Sequence, residues 1–253
     1  MPNRRTRDRH LAKLAARRAA SRRKRRRDRV LAGAVGAAVA LAGIGVGVYL
    51  ITRGPAPKAA ASKTTTAAVA CGGTKPAAAS VPKPKFTKAP PLTIDPKKTY
   101  TVTMQTSCGK IQLLLDPKDA PIAVNSFVFL VRQHFYDGLT FHRIVKDFVI
   151  QGGDPTGTGT GGPGYMFKDE LKNSLKYDIG VLAMANSGKD TNGSQFFIVE
   201  GAQAQTLPRQ YTIFGRVLTG LDVVVRIANL PVSTQAQKPL QAVYIEGVTV
   251  SVS

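Results

Sequence analysis

The chain has 253 residues and a formal net charge of +21 at pH 7, with three histidines and two cysteines. The positive charge is uneven, because residues 1–29 hold 14 of the 36 Lys and Arg residues against two acidic ones. This pattern differs from that of a uniformly basic nucleic-acid binder, so specific nucleic-acid binding is not predicted.

The histidines and cysteines lack zinc-site spacing, and the chain has neither a P-loop nor a Gly-x-Ser-x-Gly elbow. Hydrolytic, phosphoryl-transfer and metal-dependent chemistries therefore lack the residues that they need, and no metal or cofactor is predicted.

The segment 30–52, VLAGAVGAAVALAGIGVGVYLIT, contains no charged residue. As a helix it would span roughly 34 Å, enough for a hydrocarbon core of about 30 Å, so we predict one transmembrane helix. The positive-inside rule then places the basic tail in the cytoplasm and the rest of the chain outside, in a single-pass protein of the cell membrane. The tail is predicted to contact anionic lipids. A cleaved signal peptide is the alternative, which the basic lead and the long apolar run disfavour.

Residues 53–91 are rich in Ala, Pro, Lys and Thr and contain few large apolar residues. Such a segment cannot bury a core, so we predict a disordered linker in front of a globular domain, residues 92–253. Cys71 lies in this linker and Cys108 lies in the domain. Outside the cytoplasm the two could form one disulfide, but the sequence equally allows two free thiols.

The domain begins with alternating apolar and polar residues around an SCGK turn, which predicts a β-hairpin. A helix with one broad apolar face is predicted from Ile122 to Val131, ending before Asp137. The stretch FHRIVKDFVIQGGDP, residues 141–155, predicts one strand, and a glycine-rich loop follows over residues 152–164. Further strands are predicted in GVLAMAN, SQFFIV, YTIFGRVL and LQAVYIEGVTVSV, with a second helix over Leu221 to Ala228. Many short strands and two helices predict a mainly β domain, a closed antiparallel barrel capped by the helices.

Three separated motifs also resemble one known family in content and order. They are FHRIVKDFVIQGGDP with GTGTGGPGY after it, GVLAMANSGKDTNGSQFFI (Gly180 to Ile198) and YTIFGRVLTGLDVV (Tyr211 to Val224). They resemble the cyclophilin-type peptidyl-prolyl cis–trans isomerases, here of a membrane-anchored bacterial type, and the resemblance covers the globular part from Thr99 to Val252. It implies an eight-stranded barrel with two capping helices and a pocket on the outer barrel face that takes Pro-containing polypeptides.

The resemblance also implies which side chains form the pocket. Arg143 and Gln151 stand where the family has catalytic residues. The substrate-binding positions fall at Phe148, Val149, Ala185, Asn186, Gln195, Phe197, Leu207 and Tyr211. The chain departs from the family where Val149 replaces a methionine, and where Thr206 and Tyr211 stand at or near a common tryptophan and histidine. Because that tryptophan is the family's indole donor to cyclosporin, weak cyclosporin binding is expected.

Proline isomerisation suits this set of residues because it breaks no covalent bond. Rotation about an X-Pro bond is opposed by amide resonance, with a barrier of roughly 18–20 kcal/mol. A fixed donor aimed at the nitrogen of the twisted amide stabilises that state more than either planar one. Arg143 can supply the donor, and Gln151 can hold the swinging carbonyl or orient the arginine. The apolar floor under the proline ring would come from Phe148, Phe197 and Leu207.

The sequence therefore predicts a prolyl isomerase that assists the folding of exported or surface proteins. A non-catalytic module that binds Pro-containing segments is the alternative. His142 is predicted to be a structural histidine, and Phe196 should point away from Phe197. The sequence does not predict an oligomeric state.

Overall fold

A computed structural model describes residues 68–172 and 174–253. The predicted tail 1–29, the predicted membrane span 30–52 and the first part of the predicted linker, 53–67, lie outside the described residues. Within the described ranges, no helix is both long enough and apolar enough to cross a bilayer. The prediction of a transmembrane helix therefore stays a prediction.

The described residues form one sheet of eight strands whose paired neighbours are all antiparallel. The strand order is β3-β4-β6-β5-β7-β2-β1-β8. The elements are β1 Tyr100–Thr106, β2 Gly109–Leu115, α1 Pro121–Arg132, β3 Arg143–Val145, β4 Val149–Gly152, β5 Val181–Met184, β6 Phe196–Val199, β7 Ile213–Thr219, α2 Leu221–Ala228 and β8 Ile245–Val252. A mainly β domain with eight antiparallel strands and two helices is confirmed.

The two ends of the sheet, β3 and β8, are not joined as a regular strand pair. Backbone hydrogen bonds at the start of β8 and just before both strands connect them instead. The Phe141 N–H donates to the Val243 carbonyl at 3.0 Å, and the Ile245 N–H donates to the Leu139 carbonyl at 2.7 Å. The sheet is therefore curled, and the prediction of a closed barrel is confirmed only in part.

Helix α1 begins at Pro121, directly before the predicted start at Ile122, and proline is favoured in the first turn of a helix. The carboxylate of Glu170, distant in sequence, accepts hydrogen bonds from the N–H groups of Ile122 and Ala123 at 3.0 and 2.9 Å. These two donors have no partner within the helix, so Glu170 satisfies them from outside.

The sheet carries apolar side chains on both faces. Successive residues of a strand point to opposite faces, and every residue of β4, β5 and β6 is buried or half-buried. On the inner face, Phe127 of α1 packs within 4.8 Å of Tyr136, 5.2 Å of Phe214 and 5.7 Å of Phe196, measured between ring centroids. A second buried cluster, which we call the outer cluster, consists of Val149, Tyr177, Ala183, Phe197, Val199, Ala204 and Ile213, with Phe148, Val181, Ala185, Leu207 and Tyr211 packed against it. The sheet thus has a structural core on one side and a second apolar surface on the other.

The stretch FHRIVKDFVIQGGDP forms a hairpin, so the prediction of a single strand is wrong. Strands β3 and β4 pair with Arg143 opposite Gln151 and Val145 opposite Val149. Asp147 turns the chain with φ of 61°, and its N–H donates to the Glu200 carboxylate at 2.8 Å. The hairpin brings Arg143 and Gln151 side by side across the strands.

Residues 68–91, which we call the strap, pack on the domain. Cys71 forms a disulfide with Cys108, and Ala70 is fully buried with its N–H bonded to the Ala242 carbonyl at 2.9 Å. Further along, the Phe86 ring packs edge-on against Phe129 at 4.9 Å. The prediction of a disordered linker up to residue 91 is therefore wrong for the strap, because one disulfide and a few buried apolar contacts fix it in place.

His142 is a buried polar residue with only 6% of its surface exposed. Neither ring nitrogen has a hydrogen-bond partner in the described part of the chain. Burial lowers the pKa of His142 below 6.5, while Asp154 opposes this change and Arg143 and Lys238 reinforce it. The predicted structural histidine is thus buried, but it lacks the hydrogen bonds expected of one.

We expect reduction of the Cys71–Cys108 disulfide to destabilise the domain. The bond closes a loop of 37 residues, and opening it restores chain entropy to the unfolded state. The expected loss in the free energy of unfolding is about 2–4 kcal/mol, measured by urea unfolding with and without reductant. Cys71→Ser/Cys108→Ser is the matched variant and should be insensitive to reductant; equal stability of the reduced and oxidised wild type would contradict the prediction.

We expect His142 to make the domain less stable in mild acid. Above pH 6.5 the ring is neutral in both states, but below it the unfolded chain takes up a proton that the folded domain resists. The free energy of unfolding should therefore fall as pH drops from about 6.5 toward 5, and His142→Gln should weaken that fall. An unchanged slope in His142→Gln would refute the assignment.

Candidate active site

A row of directly paired residues crosses five strands on the outer face of the sheet. Arg143 on β3 lies opposite Gln151 on β4, which lies opposite Phe197 on β6. Phe197 also lies opposite Ala183 on β5, which lies opposite Ile213 on β7. Paired residues share a face of an antiparallel sheet, so a charged group, an amide and an apolar surface stand side by side. The pairing brings together three of the predicted site residues.

The guanidinium of Arg143 is half-buried and held from two sides. Its Nε donates to Gln237 Oε1 at 2.9 Å, and its Nη1 donates to Gln151 Oε1 at 3.4 Å. Its Cζ lies 6.0 Å from the centroid of the Phe148 ring. Burial lowers the pKa of Arg143, with Tyr211 acting in the opposite direction. In the described ranges, Nη2 donates to no acceptor, so one end of the guanidinium is available to a ligand.

An amide relay fixes the orientation of Gln151. Its Nε2 donates to Gln195 Oε1 at 3.0 Å, and Gln195 Nε2 donates to the carbonyls of Gly159 and Gly161 at 3.0 and 2.9 Å. The Gln151 oxygen consequently faces Arg143. Of the two roles predicted for Gln151, this geometry matches orientation of the arginine.

The glycine-rich loop that receives this relay is organised around Asp154. The Asp154 carboxylate accepts hydrogen bonds from the N–H groups of Thr156 at 2.7 Å, Gly159 at 2.6 Å and Gly161 at 3.1 Å. Burial alone would raise the pKa of Asp154, but these bonds lower it below its usual value. The loop is therefore fastened from within, and its carbonyls are fixed acceptors for Gln195.

The apolar part of the site is built around Phe197, which is only 4% exposed. Tyr211 packs edge-on against its ring at 5.5 Å between centroids. The Tyr177 hydroxyl donates to the Tyr211 carbonyl at 2.8 Å and accepts from the Tyr211 N–H at 3.0 Å, which fixes the backbone of Tyr211. The predicted Phe148, Val149, Ala185 and Leu207 lie in or against the same outer cluster. Phe196 lies in the inner core instead, so the two phenylalanines do point in opposite directions.

The remaining predicted positions lie at the edge of this surface. The Asn186 side chain bonds internally, donating to the Gln210 carbonyl at 2.8 Å and accepting from the Gly188 N–H at 3.2 Å. Asn186 is therefore left with its backbone groups for contact with a ligand. The Thr206 hydroxyl turns to the Gln203 carbonyl at 2.8 Å.

Two residues of the site were not predicted from the sequence. Gln237 reaches Arg143 from a loop 94 residues later, and Tyr177 reaches Tyr211 across 34 residues. Gln237 lies in the largely polar stretch STQAQKP, and Tyr177 lies in KYDIG. Neither stretch contains a local pattern that marks the residue as part of a site. Only the folded arrangement identifies them.

Chemically, the site places a cation with a free donor at the edge of an apolar surface. Within residues 68–172 and 174–253, no three His, Cys, Asp or Glu side chains come together as a candidate metal site. The arrangement supports non-covalent chemistry on a bound peptide.

Known proteins are similar to this chain in both sequence and fold. The family model for "Cyclophilin type peptidyl-prolyl cis-trans isomerase/CLD" matches residues 101–250. The chain is 48% identical over 160 residues to mouse peptidyl-prolyl cis-trans isomerase-like 1, covering 62% of this chain and 93% of that protein. It is 41% identical over 154 residues to rat peptidyl-prolyl cis-trans isomerase-like 3, covering 59% of this chain and 95% of the relative.

A solved structure agrees with the sequence matches. The crystal structure of a Cryptosporidium parvum cyclophilin-type isomerase in the presence of the dipeptide Ala-Pro superposes with a TM-score of 0.56 at 36% identity, covering 60% of this chain and 98% of that chain. Together with the family match over residues 101–250, these likenesses show that the chain belongs to the cyclophilin-type peptidyl-prolyl cis–trans isomerases.

Proposed function

We propose that this isomerase works by presenting the free Nη2 of Arg143 to the nitrogen of a twisted X-Pro amide. The observation that carries the proposal is the geometry of Arg143, which is held at Nε and Nη1 but not at Nη2 among the described residues. The twisted amide has a free lone pair on nitrogen that the planar forms lack. A hydrogen bond to that lone pair stabilises the transition state selectively, which is the condition for catalysis.

The substrate is a Pro-containing polypeptide whose proline ring lies on the apolar surface of Phe148, Phe197 and Leu207. The crystallised relative was studied in the presence of Ala-Pro, which supports a proline-containing ligand. Gln151 and Gln237 act as positioning residues, because they hold the guanidinium without needing to touch the substrate. A fixed donor needs little rearrangement during the reaction, and this is where preorganised hydrogen bonds gain their effect.

The alternative is a module that binds Pro-containing segments without isomerising them. Binding would use the apolar surface alone, whereas isomerisation requires the donor. Variants at Arg143 therefore separate the two functions.

We expect Arg143→Ala to lower kcat/KM for an Ala-Pro peptide by about 10- to 150-fold. A hydrogen bond to a charged group contributes about 1.5–3 kcal/mol, and the variant removes it from the transition state. The measurement is an isomerase assay on the full-length chain, because the strap is part of the folded domain. Arg216→Ala, at an exposed arginine on β7, is the matched control and should keep wild-type activity.

Two further variants complete that experiment. Arg143→Lys keeps the charge but lacks the fork that reaches Gln237 and the substrate together, so its activity should fall nearly as far. Gln237→Ala frees Nε and should cause a smaller fall in kcat with little change in KM. A fall of less than threefold in a folded Arg143→Ala protein would remove Arg143 from the mechanism and favour the binding module.

We further propose that residues 30–52 anchor the protein in the cell membrane, with the tail 1–29 in the cytoplasm and the isomerase domain outside, where it assists the folding of exported or surface proteins. The Cys71–Cys108 disulfide supports this location, because disulfides persist in oxidising compartments. Protease added to intact spheroplasts should digest the domain and spare the tail. Protection of the domain until lysis would contradict the proposal.

The tail peptide should bind anionic vesicles in a salt-sensitive manner. Equal binding to neutral vesicles would exclude the negative charge of the lipids as its target.

A further inference from the structure

The strap carries a lysine to the edge of a pocket that adjoins the active site. The pocket has a volume of about 880 Å³ and shares Gln151, Ala185 and Gln195 with the site. The glycine-rich loop forms much of its wall, and Met166, with 68% of its surface exposed, forms another part. Lys85 lines the same pocket. The strap precedes residues 101–250, which the family model matches, so the family resemblance does not account for this lysine.

Contacts on the strap hold Lys85 at this position. The N–H of its neighbour Phe86 donates to the Pro163 carbonyl at 2.8 Å, and the Phe86 ring lies 6.4 Å from Tyr165. Gly164 has φ of 97°, and a Cβ at that position would collide with the Phe86 carbonyl. Only a glycine therefore lets the loop approach the strap this closely. Before Lys85, the Lys83 ammonium bonds to the carbonyls of Ala78 and Asp137.

The charge of Lys85 stands alone in this pocket. Among the described residues that line it, Lys85 has the only charged side chain, and the others are glycines, prolines, hydroxyl and amide residues, an alanine, a tyrosine and a methionine. An acidic side chain entering the pocket would therefore meet a cation and no competing carboxylate. Lys85 is itself exposed, so an ion pair with it would be modest and would weaken as the salt concentration rises.

We propose that Lys85 is a specificity residue, which favours client chains that carry an acidic side chain a few residues from the isomerised proline. The pocket shares Gln151 and Gln195 with the relay that orients Arg143, so a peptide bound at Arg143 places a nearby residue at Lys85. The inference rests on the proposed function, because it assumes that the peptide binds along this surface. It goes further in naming the class of client.

The test uses the full-length chain and two series of Ala-Pro peptides. One series carries Glu, and the other carries Gln, at each position up to three residues on either side of the proline. At one position at least, the wild type should show a ratio of kcat/KM for Glu over Gln of about two- to fivefold, the range that exposed ion pairs produce. The ratio should fall to about one in Lys85→Gln, invert in Lys85→Glu and shrink in 1 M salt.

Lys88→Gln is the matched control, because this exposed lysine lies on the same strap but does not line the pocket. It should keep both the wild-type ratio and the basal activity. A ratio near one at every position, or a ratio that Lys85→Gln leaves unchanged, would overturn the inference. If the wild type fails to isomerise even the uncharged peptide, the proposed function fails instead. The same Glu and Gln comparison, made by peptide binding, then decides the role of Lys85.

Discussion

The site depends on the hydrogen bonds that hold the half-buried guanidinium of Arg143. A cation removed from water loses solvation, and burial accordingly lowers the pKa of Arg143. Hydrogen bonds to Gln237 and Gln151 replace part of that solvation and also fix the direction of the remaining donor. Each of these amides must itself be held. The backbone of Gln237 accepts the Ile144 N–H at 2.8 Å, and Gln151 is held by Gln195 and the glycine-rich loop. The loop organised around Asp154 therefore helps to position the Arg143 guanidinium, through the side-chain amides of Gln195 and Gln151.

A sheet with two apolar faces makes this arrangement compatible with stability. The inner face, around Phe127, carries the packing that holds the domain together. The outer cluster is smaller and partly exposed, and Tyr177 and Tyr211 limit its movement through bonds between a side chain and the backbone. Residues on the outer face can therefore serve binding, while residues one position away in sequence serve folding. Phe196 and Phe197 illustrate this division most directly.

Much of the fold could be predicted from the sequence, because the patterns that indicate it are short and local or are motifs that follow one another in a known order. Alternation predicted the first hairpin, periodicity predicted both helices, and three motifs carried the family resemblance and most of the site. The rest depends on contacts between distant residues. Gln237 and Tyr177 have no local signature, and closure of the sheet uses irregular hydrogen bonds that no strand pattern encodes.

The prediction for the strap was wrong because its composition resembles that of a linker, whereas a disulfide and Phe86 determine its place. The single predicted strand concealed a hairpin because Lys146 and Asp147 interrupt an otherwise apolar run without glycine or proline.

The hairpin of β3 and β4 also sets a limit on how this chain can vary. Side chains alternate between the faces of the sheet, so a shift of one residue along β3 would turn Arg143 toward the inner core and Ile144 toward the outer face. Lys146 and Asp147 at the turn are exposed, so Lys146 can be exchanged with little effect on packing, whereas Asp147, with φ of 61°, can be exchanged readily only for Asn or Gly. The number of turn residues is constrained, because adding or removing one residue there would change the register of β3 against β4. Among homologous chains, this turn should therefore tolerate changes of composition far better than changes of length.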